Sequence, residues 1–101
     1  MQLVVEVERE KTLADIGVTL EGCITCDDGS CSANVIHKQT GNEYNVYIRK
    51  QRNYFINQLV FIADCRVNSN SDSGLDIYQE FNEESELVNF LCHNFSGFKC
   101  F

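Results

Sequence analysis

Residues 18–50, VTLEGCITCDDGSCSANVIHKQTGNEYNVYIRK, decide the fold class. Val18, Leu20, Gly22 and Ile24 alternate with Thr19, Glu21, Cys23 and Thr25, the period-two pattern of a strand with one buried face. Cys26, the turn Asp27-Asp28-Gly29-Ser30 and Cys31 follow. A hairpin closed there sets Cys26 opposite Cys31, Ile24 opposite Ala33, Gly22 opposite Val35 and Leu20 opposite His37. Directly opposed residues share a face, so this register collects the apolar positions on one side. Thr40-Gly41-Asn42-Glu43 then reads as a second hairpin with Gly-Asn at its centre. It sets His37 opposite Val46 and Val35 opposite Ile48, again on the apolar side. Two independently placed turns agree, and the stretch is expected to be a three-stranded meander.

Outward from the meander, residues 58–67 form a further strand, with Leu59, Phe61, Ala63, Cys65 and Val67 on one face and Val60, Ile62 and Asp64 on the other. Its middle is apolar on both faces, which suits a central strand. Residues 49–57 read as a polar and aromatic connection, 68–74 as a polar loop, and 75–81 as a short strand or a turn. From Asn82 the pattern is helical: Asn82 suits an N-cap, Glu83, Glu84 and Glu86 suit the positive end of the helix dipole, and Leu87, Phe90, Leu91 and Phe95 make one apolar stripe. Gly97 is expected to stop the helix. Upstream, residues 2–8 alternate as a strand, and Leu13 and Ile16 allow one helical turn ended by Gly17. The expected architecture is α+β: a mostly antiparallel sheet of four to five strands with a C-terminal helix packed on one face. At 101 residues, 44% apolar and 23% charged, residues 1–101 fit one domain with one core.

Net charge is −7, unevenly placed. Residues 1–36 hold two basic against seven acidic side chains, for −5; residues 37–66 hold five against two, for +3; residues 67–101 hold one against six, for −5. An acidic domain repels nucleic acid and anionic membrane and is drawn to basic surfaces. The first ten residues alternate apolar and acidic side chains, with no basic n-region and no apolar h-region, so a cytoplasmic location is expected.

Six cysteines, at 23, 26, 31, 65, 92 and 100, admit three readings. An even count and the opposed Cys26 and Cys31 allow a disulfide framework, which a reducing cytosol opposes. Cys23-x2-Cys26-x4-Cys31 approaches metal spacing, but it reverses the order of plant-type ferredoxins and lacks a second paired motif for zinc. Cys92 and Cys100 are too far apart in sequence to be that pair. His37 stands roughly 20 Å along a straight strand from Cys31 at about 3.3 Å per residue. Free thiols used as small apolar filler are the favoured reading. No metal site and no cofactor is assigned.

Catalytic signatures are not found. Cys92 and His93 are helix neighbours whose side chains diverge, and His37 reads as a core-edge residue. No phosphate loop, dinucleotide fingerprint or nucleophile elbow occurs. Arg49, Lys50 and Arg52, with Tyr47, Tyr54 and Phe55 near them, have the composition of a single-strand nucleic-acid platform; their surroundings are acidic and three charges are few, so a polar connection after a strand is the favoured reading. An enzyme acting alone therefore ranks last.

The expected function is that of a small binding protein which neutralises a basic partner protein by occlusion, the partner being of the nuclease or nucleic-acid-binding kind. Immunity proteins and phage anti-defence inhibitors are of this physical type. Such a mechanism needs a charged surface with a few aromatic anchors and no catalytic residue. The candidate surface is Asp72, Asp76, Tyr78, Glu80, Phe81, Glu83, Glu84 and Glu86, where acids and aromatics interleave. No direct contact with nucleic acid or membrane is expected. A metal- or thiol-dependent module built on Cys23, Cys26 and Cys31, and an auxiliary subunit joining a larger assembly through a sheet edge, are the alternatives.

Overall fold

In a computed structural model, which describes residues 11–21, 29–53, 55–68 and 75–100, the alternating segments pair into a five-stranded antiparallel sheet. Its strands are β1 (Gly29–His37), β2 (Glu43–Asn53), β3 (Gln58–Val67), β4 (Ile77–Phe81) and β5 (Phe95–Ser96), in the order β4-β3-β2-β1-β5. One helix, α1 (Glu84–Asn94), packs against β3 and β4 and leads directly into β5. The α+β class with a C-terminal helix is therefore present. The strand expected at residues 2–8 lies outside the described residues.

One face of the sheet and the helix stripe close a single core. Val35, Tyr44, Val46, Ile48, Phe61, Ala63, Cys65 and Phe81 from the sheet meet Leu87, Val88 and Leu91 of α1 and Phe95 of β5. Leu13, Ile16 and Val18 complete it from a single 3-10 turn, Ala14–Ile16, that ends at Gly17 as its spacing predicts. Burying apolar area contributes roughly 25 cal/mol per Å², which is why the strand alternation and the helix stripe must face each other. His37, expected at the core edge, is buried between the rings of Tyr44 and Phe95, with both centroids 5.4 Å away.

The β1–β2 pair keeps its expected faces but changes its register, and the first strand expected in the meander is not formed over residues 18–21, where only Glu21 makes an isolated bridge to Ser30. Val35 pairs with Tyr44, Ala33 with Val46 and Cys31 with Ile48, four residues away from the register of a two-residue Gly-Asn turn. An even slip keeps every side chain on its own face, so alternation cannot detect it. The connection is the longer Lys38–Gly41. His37 N–H donates to the Asn42 carbonyl (2.9 Å), Gly41 N–H donates to the His37 carbonyl (2.8 Å), and the Thr40 hydroxyl lies 3.0 Å from His37 Nδ1. Gly41 takes φ of 76° there, a conformation that suits glycine.

The first hairpin is also displaced. Gly29 and Ser30, read as turn residues, already belong to β1, and Ser30 exchanges two backbone hydrogen bonds of 2.9 Å with Glu21. A Cys26–Cys31 closing pair would set Glu21 opposite Ile36 instead. That edge of β1 is occupied by β5, whose Ser96 pairs with Ile36 and Phe95 with His37. Cys23 and Cys26 lie outside the described residues.

Two further expectations are corrected. The strand ending near residue 50 runs on to Asn53, so the connection to β3 is only four residues long. The helix begins after Glu83, not Asn82, and ends at Asn94, with Phe95 already extended at φ −127°. Gly97 therefore does not terminate the helix. Its φ is +124°, and a Cβ there would stand 2.9 Å from Val35 Cγ1; glycine is needed to let the backbone pass close to β1.

Candidate binding surface

Strands expose two faces, and the face opposite α1 is not a plain solvated one. Val60 and Ile62 point away from the helix, yet they are 5% and 0% exposed. Cross-strand register explains what stands around Ile62. Arg49 on β2 and Glu80 on β4 are its direct neighbours. In the adjacent row Tyr47, Asp64 and Tyr78 line up across β2, β3 and β4. Residues opposed in this way hold their side chains within contact distance, so five polar and aromatic side chains gather across β2, β3 and β4.

The contacts inside this group are specific. The Arg49 guanidinium sits 5.5 Å from the centroid of the Tyr47 ring, a cation–π arrangement. Its Nε is buried without a hydrogen-bond partner. The Tyr78 hydroxyl donates to Glu80 Oε1 at 3.2 Å. Burial, and after it the negative charge of Glu80, pushes the Tyr78 phenol above its ordinary range, so it stays a hydrogen-bond donor at neutral pH. Arg66 Nε approaches Asp64 Oδ1 at 3.5 Å. Tyr47 and Tyr78 remain 38% and 56% exposed, which leaves both rings available to another molecule.

The residues chosen from the sequence do not occupy one surface. Tyr78 and Glu80 belong to this second face. Phe81, the next core-facing position of β4, is buried against Phe90, their ring centroids 5.4 Å apart; it is withdrawn from any partner. Asp76 accepts a hydrogen bond from Val67 N–H (2.9 Å) and so fastens the β3–β4 connection. Glu84 accepts one from Leu13 N–H (3.3 Å), tying the helix start to the 3-10 turn. Glu83 and Glu86 flank the first turn of α1 and are exposed. Asp72 lies outside the described residues. Tyr47, Arg49 and Asp64 were not chosen, because their partnership with Tyr78 and Glu80 depends on pairing between three strands that sequence spacing does not encode.

The cysteines depart from the expectation of free thiols. Cys92 and Cys100 are joined by a disulfide, their Cα atoms 5.7 Å apart, although eight residues separate them in sequence. The bond pins the tail after β5 to the side of α1. Lys99 N–H donates to the Ile16 carbonyl (3.1 Å), and the Lys38 ammonium donates to the Cys92 carbonyl (2.6 Å). Cys31 and Cys65 are free, half-buried and buried respectively. Burial pushes the Cys65 thiol up to about 12, so it is inert near neutral pH. Among the described residues no three or more His, Cys, Asp or Glu side chains are grouped so as to hold a metal ion, and no helix is long and apolar enough to cross a membrane. The chain matches no protein-family model, no curated protein sequence and no solved structure.

Proposed function

We propose that this chain is a small acidic binding protein that neutralises a basic partner protein by occlusion, and that its contact surface is the second sheet face. The observation that carries the reading is the row Tyr47, Asp64 and Tyr78, flanked by Arg49 and Glu80, over the buried Ile62. Tyrosine and arginine supply much of the binding energy at protein interfaces, provided that they are held over a dry base. Arg49 and Arg66 offset Asp64 and Glu80, so the face itself is close to neutral. Long-range attraction comes instead from the net charge of −7, which steers a basic protein toward the chain. A nucleic-acid-binding enzyme has a surface of that sign. A cytosolic home, which the reading carries with it, requires the Cys92–Cys100 pair to be open there; bonded, the pair supports an oxidising compartment.

The experiment is affinity capture with the wild-type chain and with Tyr78→Ala and Tyr47→Ala variants, followed by identification and titration of the retained protein. A basic protein held by the wild type, released as salt rises and lost from both variants, is the expected result. Retention unchanged by both substitutions would remove the face from consideration. A second reading, that of an auxiliary subunit, rests on β4, the longer of the two edge strands among the described residues. A partner strand there would be held by backbone hydrogen bonds, so its binding would survive Tyr78→Ala.

A further inference from the structure

Among the described residues the β2–β3 hairpin projects beyond its neighbours. Gly29 is the last residue of β1 to pair with it, at Lys50, and Phe81 is the last of β4, at Phe61. Past those points Gln51–Asn53 and Val60–Gln58 pair only with each other among the described residues. The turn is held by its own side chains: Phe55 N–H donates to Asn53 Oδ1 at 3.0 Å, Arg52 Nη1 donates to Asn57 Oδ1 at 3.4 Å, and Asn57 takes φ of 50°. Phe55 and Ile56 face outward there, 102% and 53% exposed. Fixing two apolar side chains in water at the end of a well-formed finger has no folding benefit.

Charge separates this end from the rest of the chain. Residues 49–60 carry Arg49, Lys50 and Arg52 and no acid, within a protein of net charge −7. Alternation distributes the three around the finger, Arg49 toward the second face and Lys50 and Arg52 toward the other. Glu83, which shares a groove with Arg52, offsets part of that charge. An apolar tip with a basic collar fits a surface that is apolar beneath and anionic above. Arg52 stands one strand residue, roughly 3 Å, behind the end of β2 at Asn53, which leaves its side chain close above tip residues sunk about 5–10 Å into the boundary between headgroups and acyl chains. Lys50 stands roughly 7 Å farther back at about 3.3 Å per residue, within reach of a surface potential that decays over roughly 8 Å at physiological salt. The same screening limits repulsion from acids farther away. A single-stranded nucleic acid would use Phe55 for stacking but leaves Ile56 without a role, and a second copy docked tip to tip in an isologous pair would bring two basic collars together.

We infer that the β2–β3 finger is a membrane-contact element that inserts Phe55 and Ile56 into anionic lipid surfaces, with Arg52 and Lys50 toward the headgroups. It lies apart from Tyr47 and Tyr78, so it stands or falls independently of the occlusion reading. The test is flotation of the full chain with vesicles of phosphatidylcholine alone and of phosphatidylcholine carrying about 30% phosphatidylserine, an anionic fraction that gives a surface potential of physiological order. Association with the anionic vesicles only, weakened as salt rises, is expected. A Phe55→Ser/Ile56→Ser variant should bind at least about tenfold more weakly, and Lys50→Glu/Arg52→Glu should bind more weakly still at low salt. Both exposed tip residues can be replaced without loss of packing, and an unchanged thermal midpoint checks that the variants fold. The chain contains no tryptophan, so Phe55→Trp gives a single reporter whose emission should move to the blue on anionic vesicles. No association with either vesicle, equal association with neutral ones, or binding untouched by Phe55→Ser/Ile56→Ser would overturn the inference. So would retention on oligodeoxythymidine without vesicle binding, or a blue shift that follows protein concentration in the absence of lipid.

Discussion

Opening the Cys92–Cys100 disulfide is the perturbation with the most direct structural forecast. The two cysteines close a loop across a separation of eight residues. In the chain-entropy description such a loop restricts the unfolded ensemble by about 8 cal/mol/K, worth about 2.5 kcal/mol at room temperature. A domain of this length shifts its melting temperature by roughly 4–8 °C per kcal/mol, so a Cys92→Ser/Cys100→Ser variant should melt roughly 10–20 °C below the oxidised protein. The loss is amplified locally because the tail it pins is otherwise held by Lys99 N–H on the Ile16 carbonyl and by the approach of Gly97 to Val35. Circular dichroism melts of the wild type with and without a phosphine reductant, and of the double variant, give the measurement; intact mass after alkylation counts the thiols. The reductant should lower the wild-type midpoint and leave that of the double variant in place. A double variant melting within about 2 °C of the oxidised wild type, below what about 0.5 kcal/mol would produce, would refute the reasoning. So would a reductant shift that persists undiminished in the double variant.

Other expectations are sharper at single residues. Ile62→Ala, at a wholly buried position on the face opposite the helix, should cost about 2–5 kcal/mol in urea unfolding; a loss below about 1 kcal/mol would mean that the face is not closed over it. Gly97→Ala meets both a φ of +124° and a Cβ contact of 2.9 Å with Val35, and should cost about 1–3 kcal/mol, read from the urea midpoint at constant slope. With its pKa pushed up to about 12 by burial, Cys65 should resist iodoacetamide at pH 8 while half-buried Cys31 is alkylated, as peptide mapping of native protein will report. The sign for stability follows: the folded value lies above the ordinary thiol value of 9.0. The thiol's contribution is therefore whole below pH 9 and is lost as pH rises toward 12, which denaturant midpoints across that interval measure.

Period-two alternation carried most of the fold into view. Residues 58–67 were readable as β3 with both faces correct, since a strand's parity is a local property. What alternation cannot carry is register, because a slip of four leaves every apolar residue inside. The His37–Thr40 contact, which fixes the longer turn, is a side-chain event that turn propensities for Gly-Asn do not contain. Phe95 shows the same limit at the helix end. It continues the apolar stripe, yet it leaves the helix to pair with His37, since its burial is satisfied equally from β5. The binding surface was half legible: Tyr78 and Glu80 stood out as an acid–aromatic mixture, whereas Tyr47, Arg49 and Asp64 join them only through pairing across three strands. Phe81 and Tyr78 are three residues apart in sequence and on opposite faces of one strand, which composition alone cannot distinguish. The Cys92–Cys100 bond was missed because its proximity arises from the chain turning back through β5, not from spacing along a regular element.

That return through β5 gives the molecule an order of assembly. Strands β1 to β4 are sequential neighbours, each able to pair with the one just made, and contacts close in sequence form fastest. Ile36–His37 must wait for Phe95–Ser96, which become available only after α1. During synthesis β1 to β4 can be laid down as they emerge, with the apolar face that α1 and β5 cover left open until residues 84–96 arrive. The C-terminal segment is thus the keystone of the chain, and a ribosome stalled before Phe95 would present an open sheet to whatever chaperone or protease stands at the exit.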